Sequence, residues 1–276
     1  LTVGNNGGKM KLNDRPYVMI TIPVYGEIPL TLQLLNSIVN KSYVSGLSYS
    51  ISFWDDGSSE DEINHLSNQT NSLPALIVRN DKRVEYTKTV YKCLDQIKQI
   101  AEFDFILLVN NDVIFNPATM FSLVKRAVSN TSVAAVGCKV LKRGTTEIQH
   151  TGVRLEDGKI VDPYCGLDVN DPRTNQVERR LWVNGCCVLY NLHILRKHGM
   201  NFNLEFSPAY FEEADLMTRL NLMGYSIMYE PRAVVEHLVN GTHGKERERY
   251  EKVFWANWDK YKDKWSPYFN SKKLQF

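Results

Sequence analysis

The sequence predicts an α/β domain: a mostly parallel central sheet flanked by helices, with a smaller mixed region after it. Short β-branched and aromatic runs alternate with amphipathic segments through the first half. Polar residues gather where successive apolar runs end, which is where open α/β sheets bind ligands. After about residue 141 the alternation gives way to Gly and Pro punctuation.

The predicted strands of the first half are Tyr17–Val24, Tyr49–Trp54, Ala75–Val78, Phe103–Val109 and Val133–Val140. Between them Leu30–Asn40, Glu60–Gln69, Tyr86–Ala101 and Ala118–Ser129 read as helices, the third with Tyr86, Val90, Leu94, Ile97 and Ala101 at helical spacing. Beyond them Gly144, Gly152, Gly158, Pro163, Gly166 and Pro172 surround short strands and a loop over 162–176. Order returns with Leu181–Tyr190 and with a helix over Phe211–Met223 that Gly224 stops at its C′ position. Strands at Ser226–Tyr229 and Ala233–Glu236 and a charged, aromatic-bearing helix over Lys245–Lys264 complete the chain. Residues 1–15 read as a linker or a domain cut, 16–265 as one domain and 266–276 as a tail.

Composition narrows the function. Lys plus Arg (33) against Asp plus Glu (31) leaves a formal charge of +2, which gives no electrostatic case for nucleic acid as partner. No apolar run approaches the roughly 20 residues of a membrane-spanning helix. Five cysteines without a CxxC or a Cys/His cluster point away from a disulfide framework and a structural zinc site, and toward a reducing, cytoplasmic setting. GxGxxG after a strand, a full Walker loop, GxSxG and HExxH are all missing, which removes the commonest dinucleotide, nucleotide and hydrolase signatures.

The polar strand ends are Pro23-Val24-Tyr25-Gly26-Glu27, Asp55-Asp56-Gly57-Ser58-Ser59-Glu60 and Asn110-Asn111-Asp112. Each alone reads as a turn or helix cap; three at successive strand ends point to a site. Asp112 is suited to a hard divalent cation bridging a diphosphate, and Asn110 to a ribose or sugar hydroxyl. Arg79, Lys82 and Arg83 follow the third strand and offer cationic partners to a diphosphate. His150 and Trp182 present a polar edge and an aromatic face that suit a sugar. On the predicted helix, Glu213 continues the stripe of Leu216, Met217, Leu220 and Met223, while Glu212, Asp215 and Arg219 share an adjoining polar face.

These segments resemble the inverting family 2 glycosyltransferases with the GT-A (Rossmann-like) fold, in particular their rhamnosyltransferase-like branch, from Tyr17 to about His243 and in the same order. Ile22-Pro23-Val24-Tyr25 is similar to the family's opening strand, Asp55 through Ser59 to its base-and-ribose turn, and Asn110-Asn111-Asp112 to its DxD metal motif, with Asn110 where Asp is usual. Gln149-His150-Thr151-Gly152, Val183-Asn184-Gly185-Cys186, Phe211 through Leu216 and Pro231 through His237 continue the likeness.

The resemblance implies donor contacts from Pro23, Val24, Tyr25, Glu27, Asp55, Asp56, Arg83, Asn110 and Asn111. It implies Mn²⁺ or Mg²⁺ on Asp112, with His237 closing the site and His243 as the competing ligand. Acceptor or sugar contacts fall on His150, Trp182, Asn184, Gly185 and Asp215. Glu213 stands where the family has an Asp as general base, with Glu212 as the alternative. The implied activity moves a sugar, with inversion, from a UDP- or dTDP-sugar to a hydroxyl of a glycan or lipid-linked acceptor in polysaccharide biosynthesis. Residues 16–140 form its nucleotide-binding half and 141–265 its acceptor half. The aromatic and basic C-terminal segment either docks on the body or makes peripheral membrane contact. A sugar nucleotidyltransferase lacks support because no Gly-rich triphosphate loop follows the first strand, and intact Asp112 and Glu213 weigh against a non-catalytic binding module.

Overall fold

The computed structural model describes residues 15–39, 47–238, 246–274 and 276. Asn40, His243 and Lys245, named above, lie outside them. In β1 (Tyr17–Val24) the residues Val18, Met19, Ile20, Ile22 and Val24 are all buried, so apolar side chains cover both faces, as a central parallel strand requires. β2 (Ser48–Asp55), β3 (Ala75–Arg79) and β4 (Phe105–Val109) run parallel to it. They are joined by α1 (Ile28–Val39), α2 (Glu60–Thr70) and α3 (Tyr86–Ile97). The register sets Val24 beside Asp55 and Asp55 beside Arg79, so the polar strand ends meet along one edge. Ser59 and Glu62 cap α2 reciprocally, the reason the chain turns into a helix directly after the acidic turn.

β5 (Val113–Phe115), α4 (Thr119–Ala127), β6 (Val133–Lys142) and β7 (Ile148–His150) come next. The hairpin β8 (Arg154–Glu156) and β9 (Lys159–Val161) precedes β10 (Glu178–Arg180) and β11 (Cys187–Asn191). α5 (Leu192–Lys197), α6 (Glu212–Leu222), β12 (Ser226–His237) and α7 (Arg247–Trp265) complete the fold. The strand order is β3-β2-β1-β4-β11-β6-β12-β10, with β5 on β12 and β7 on β6. β11 lies antiparallel between β4 and β6, so the sheet is parallel in its first half and mixed beyond β4.

Four boundaries differ from the sequence pattern for local reasons. The third helix stops at Ile97, because Arg196 takes the carbonyls of Lys98, Ile100 and Phe103 that continued helix would use. The run from Leu181 becomes a strand only at Cys187; before it Asn184 folds back to accept the N–H of Cys186, and only Trp182 pairs, with Val153. The two strands expected around Pro231 are one, β12, whose pairing with β6 shifts register between Glu230 and Val234 where proline has no N–H to give. The segment after residue 265 is packed: Phe269 and Leu274 are buried in a core with Phe206, Phe211, Tyr261 and Trp265.

α7 lies across both halves. At its start Glu246 accepts from Arg83, and Arg249 donates to Glu85. In its middle Asn257 donates to the carbonyls of Phe206 (2.7 Å), Ala209 (2.8 Å) and Tyr210 (3.3 Å). At its end Lys264 and Trp265 reach Asp215. Among the described residues no helix is long and apolar enough to cross a membrane.

Candidate active site

At the end of β1 and β2, Asp55 and Asp56 hold the surrounding turns. Asp55 accepts from the N–H of Ser58 (3.0 Å) and from Arg79 Nε (3.0 Å). Asp56 accepts from the N–H groups of Val84 and Glu85, both at 2.8 Å, and from Asn80 at 3.1 Å, which fixes the loop carrying Arg83. Pro23 and Val24 end β1 beside them, and the N–H of Asp56 donates to the Val24 carbonyl. Tyr25 is exposed beneath the Arg83 guanidinium, which stands 4.2 Å from its ring centre. Arg83 also donates to Glu246 and to Tyr250, each at 3.0 Å. Arg79, expected at a diphosphate, is committed to Asp55, Glu60 and the Ser58 carbonyl.

The second group forms where β4 ends. β5 pairs with β12 so that Val113 lies opposite His237, which brings Asp112 and His237 together although 125 residues separate them in the sequence. Asp112 Oδ1 stands 3.4 Å from His237 Nε2, yet it is buried without a hydrogen-bond partner among the described residues. His237 Nδ1 lies 3.2 Å from Gln149 Oε1; a proton on Nδ1 leaves the Nε2 lone pair facing Asp112. An unpartnered carboxylate oxygen beside an imidazole nitrogen fits a hard divalent cation that takes its remaining oxygens from a diphosphate. Among the described residues no three His, Cys, Asp or Glu side chains could hold a metal by themselves, so a ligand would have to complete such a site. The sequence pattern assigns Gln149 no role of its own; the pairing of β7 with β6, and of β6 with β12, brings it to His237.

The third group is the start of α6. Tyr210 and Phe211 have φ of 73° and 71°, a left-handed turn that aromatic residues adopt only under constraint and that presents the next two carboxylates. Asn257 supplies that constraint from α7. Glu212, expected on a polar face, is only 3% exposed; its Oε2 accepts from Thr87 at 3.1 Å. Burial, and then the charge of Glu213, push its carboxyl well above the usual range. Burial also raises Glu213, against backbone groups of its own helix start and of Gly185 that favour the anion. Its Oε2 has no hydrogen-bond partner among the described residues. Of the two, Glu213 is the carboxylate placed to accept a proton.

Two expectations follow from this arrangement. A Cβ on Gly185 would lie 3.1 Å from Cγ, Cδ and Oε1 of Glu213. Gly185→Ala should therefore displace the carboxylate and lower kcat by about tenfold at unchanged donor binding; a parent-like kcat in steady-state assays would refute this. The second concerns pH. Because the folded chain holds the Glu212 proton more tightly than the unfolded chain does, its contribution to stability is complete below the ordinary carboxyl range and fades as pH rises through the elevated value. Glu212→Gln should flatten that dependence and leave the variant more stable than the parent at pH 8, as read by urea midpoints. A variant less stable than the parent at pH 8 would show that Glu212 is ionised in the fold.

The groups are linked. Both Asp112 and Glu213 act on the buried Cys186 thiol, whose pKa is raised well above the ordinary value, chiefly by burial. The Cys186 carbonyl accepts from the N–H of Asn110, and Asn110 Oδ1 accepts from Tyr86 OH at 3.1 Å. Tyr86 in turn feels the charges of Glu212 and Glu213. Sequence pattern passes over Tyr86, which reads there only as an apolar helix position. His150 stacks on Trp182 with ring centres 5.5 Å apart and accepts the N–H of Gly152 at Nδ1. Burial lowers its pKa and keeps it neutral. Asn184 is occupied by its own turn, with the Cys186 N–H on its Oδ1.

Three residues expected at the site point elsewhere. Asp215 is 0% exposed and spends both oxygens on Arg219, Trp265 and Lys264, because two helical positions carry it from the Glu213 side round to α7. Asn111 turns to Thr31 of α1. Glu27, with φ of 49°, starts α1 through its carbonyl and lines the cleft between α1 and α2 with Asp61 and His65.

Residues 19–182, more than half of the chain, match the sequence profile of the family described as Glycosyl transferase family 2. No curated protein matches the chain. Among solved structures, it is similar to the mannosyltransferase PcManGT from Pyrobaculum calidifontis in complex with GDP-Man and Mn²⁺, at 16% identity and TM-score 0.57 over 83% of this chain and 58% of that one. GalNAc-T7 with UDP, GalNAc and Mn²⁺ aligns at 12% identity and TM-score 0.63 over 80% of this chain and 43% of that one. S. aureus TarS 1-349 aligns at 14% identity and TM-score 0.53 over 81% of this chain and 61% of that one. The chain thus spans less than two thirds of each of these proteins. At such identities the likeness is one of fold, that of the GT-A glycosyltransferases.

Proposed function

This chain belongs to glycosyl transferase family 2, and from that premise we propose that it moves a sugar, with inversion, from a UDP- or dTDP-linked donor to a hydroxyl of a glycan or glycoconjugate. The observation that carries this reading is the pair of buried carboxylate oxygens without hydrogen-bond partners among the described residues, Asp112 Oδ1 and Glu213 Oε2. An unpaired buried carboxylate is costly. A nucleotide-sugar with its cation at one and an acceptor hydroxyl at the other answers both.

In this reading residues 16–140 hold the nucleotide and 141–265 the acceptor. The nucleoside lies over the ends of β1 and β2, at Val24, Tyr25 and Asp56, and Asn110 faces the ribose or the sugar. Arg83 reaches the diphosphate by exchanging Glu246 for it, one anion for another. Asp112 and His237, oriented by Gln149, would hold Mn²⁺ or Mg²⁺, which when bound would supply positive charge to the departing diphosphate. Glu213 takes the proton of the acceptor hydroxyl as that oxygen bonds to the anomeric carbon and the bond to diphosphate breaks on the opposite face. Glu212, which accepts from Thr87 of α3, ties the start of α6 to α3 and takes no part in the proton transfer.

The test is nucleoside-diphosphate release from a panel of UDP-, dTDP- and GDP-sugars, with Mn²⁺ or with chelator. Metal-dependent release from one donor supports the reading. Failure of every donor to bind would overturn it.

A further inference from the structure

Resting on the reading of Glu213 as the base that activates the acceptor, we propose that the acceptor is an oligosaccharide of several residues, held along a run of aromatic rings leading from Glu213 onto α7. The run begins at Phe211, two residues before Glu213. Its ring centre lies 6.3 Å from that of Trp182 and 5.2 Å from that of Phe254. Phe254 then meets Tyr210 at 5.5 Å and Trp255 at 5.3 Å. Trp255 is therefore two ring contacts from the residue that opens the catalytic turn.

Docking of α7 does not account for these outer rings. Tyr250, Tyr261 and Trp265 are buried and hold the helix to the body, whereas Phe254 is 37% and Trp255 56% exposed. A pyranose suits such rings: its C–H face stacks on an aromatic plane while its hydroxyls reach polar groups at the edge. Glu251, one helical turn before Trp255, is exposed and supplies that edge. Phe211 is itself buried, so the rings open to a ligand are Phe254 and Trp255 beyond it, and an acceptor that meets both Glu213 and Trp255 is a chain rather than a single sugar.

The same surface is poorly made for other occupants. On the Trp255 face of α7, Lys252 is paired with Glu248 at 2.8 Å and Lys262 with Asp259 at 3.0 Å. An anionic bilayer calls for unpaired cations there. Two exposed rings among paired charges also fall short of the apolar centre of a stable interface between copies.

The experiment measures binding of soluble α- and β-linked gluco-, galacto- and manno-oligosaccharides, one to six residues long, to the parent chain and to Trp255→Ala by calorimetry. The expected result is that at least one series binds more tightly with length, and that Trp255→Ala weakens the hexasaccharide about five- to tenfold while leaving the monosaccharide and nucleoside diphosphate unchanged. Absence of binding throughout the panel, affinity independent of length, or a Trp255→Ala variant that binds like the parent would overturn the proposal. So would Trp255-dependent binding to phosphatidylglycerol vesicles or Trp255-dependent self-association. Because these are equilibrium readouts, they stand apart from the turnover of Glu213→Gln, which tests the base itself.

Discussion

Glu213→Gln should lower transfer by about a thousandfold while donor binding stays within about twofold of the parent. Gln keeps the shape of the side chain against Gly185 but has no basicity, so the loss falls on proton acceptance and not on packing. The donor-side groups at Tyr25, Asp56, Arg83 and Asp112 are untouched. Glu212→Gln is the matched control: it removes the neighbouring carboxylate at the same helix start, and it should retain transfer. Parent-like transfer in Glu213→Gln, measured as single-turnover product formation, would remove Glu213 from the mechanism. The pH profile carries the same information with a defined sign. Activity needs the ionised form, so the acid limb of kcat should lie above the ordinary carboxyl range, in the direction in which burial moves Glu213.

Asp112→Ala should weaken donor binding measured with Mn²⁺ by about a hundredfold and leave binding measured with chelator unchanged. Its effect on folding should be smaller than that of most buried substitutions. Oδ1 of Asp112 has no hydrogen-bond partner among the described residues, so its removal breaks no hydrogen bond, and the urea midpoint should stay close to that of the parent. A variant that binds donor normally in Mn²⁺ would exclude Asp112 as a ligand. One that loses donor binding equally with and without metal would assign Asp112 to the nucleotide instead.

The turn that follows β2 was legible in the sequence because its signals are local. Asp55-Asp56-Gly57-Ser58-Ser59 lies on one turn between a strand and a capped helix, and the structure keeps it there. Asp112 was legible as a strand-end carboxylate, but its meeting with His237 depends on the short strand β5, three residues with no periodicity to read. The α6 carboxylates show the limit of a helical wheel. It grouped Glu212 with Asp215 as a polar face, but a wheel is silent on what else packs there; Thr87 of α3 and the end of α7 bury that face entirely. Asp215, expected to meet a sugar, instead anchors the C-terminal helix. Asn257 escaped notice for the same reason, as did the contact of Gln149 with His237: each acts on a segment far from it in sequence.

The contacts of α7 also bear on how members of such a family can be recombined. Arg83 and Glu85 belong to the donor loop, and their partners Glu246 and Arg249 come 163 and 164 residues later. Any crossover between residues 86 and 245 separates these partners and, when placed after residue 210, also parts Asn257 from the turn it pins. Chimeras that graft a foreign first half onto this second half would inherit mismatched ends of the same strap. Donor and acceptor preferences would then transfer together, in chimeras that carry α7 with the donor loop it clasps, and not as freely exchangeable modules.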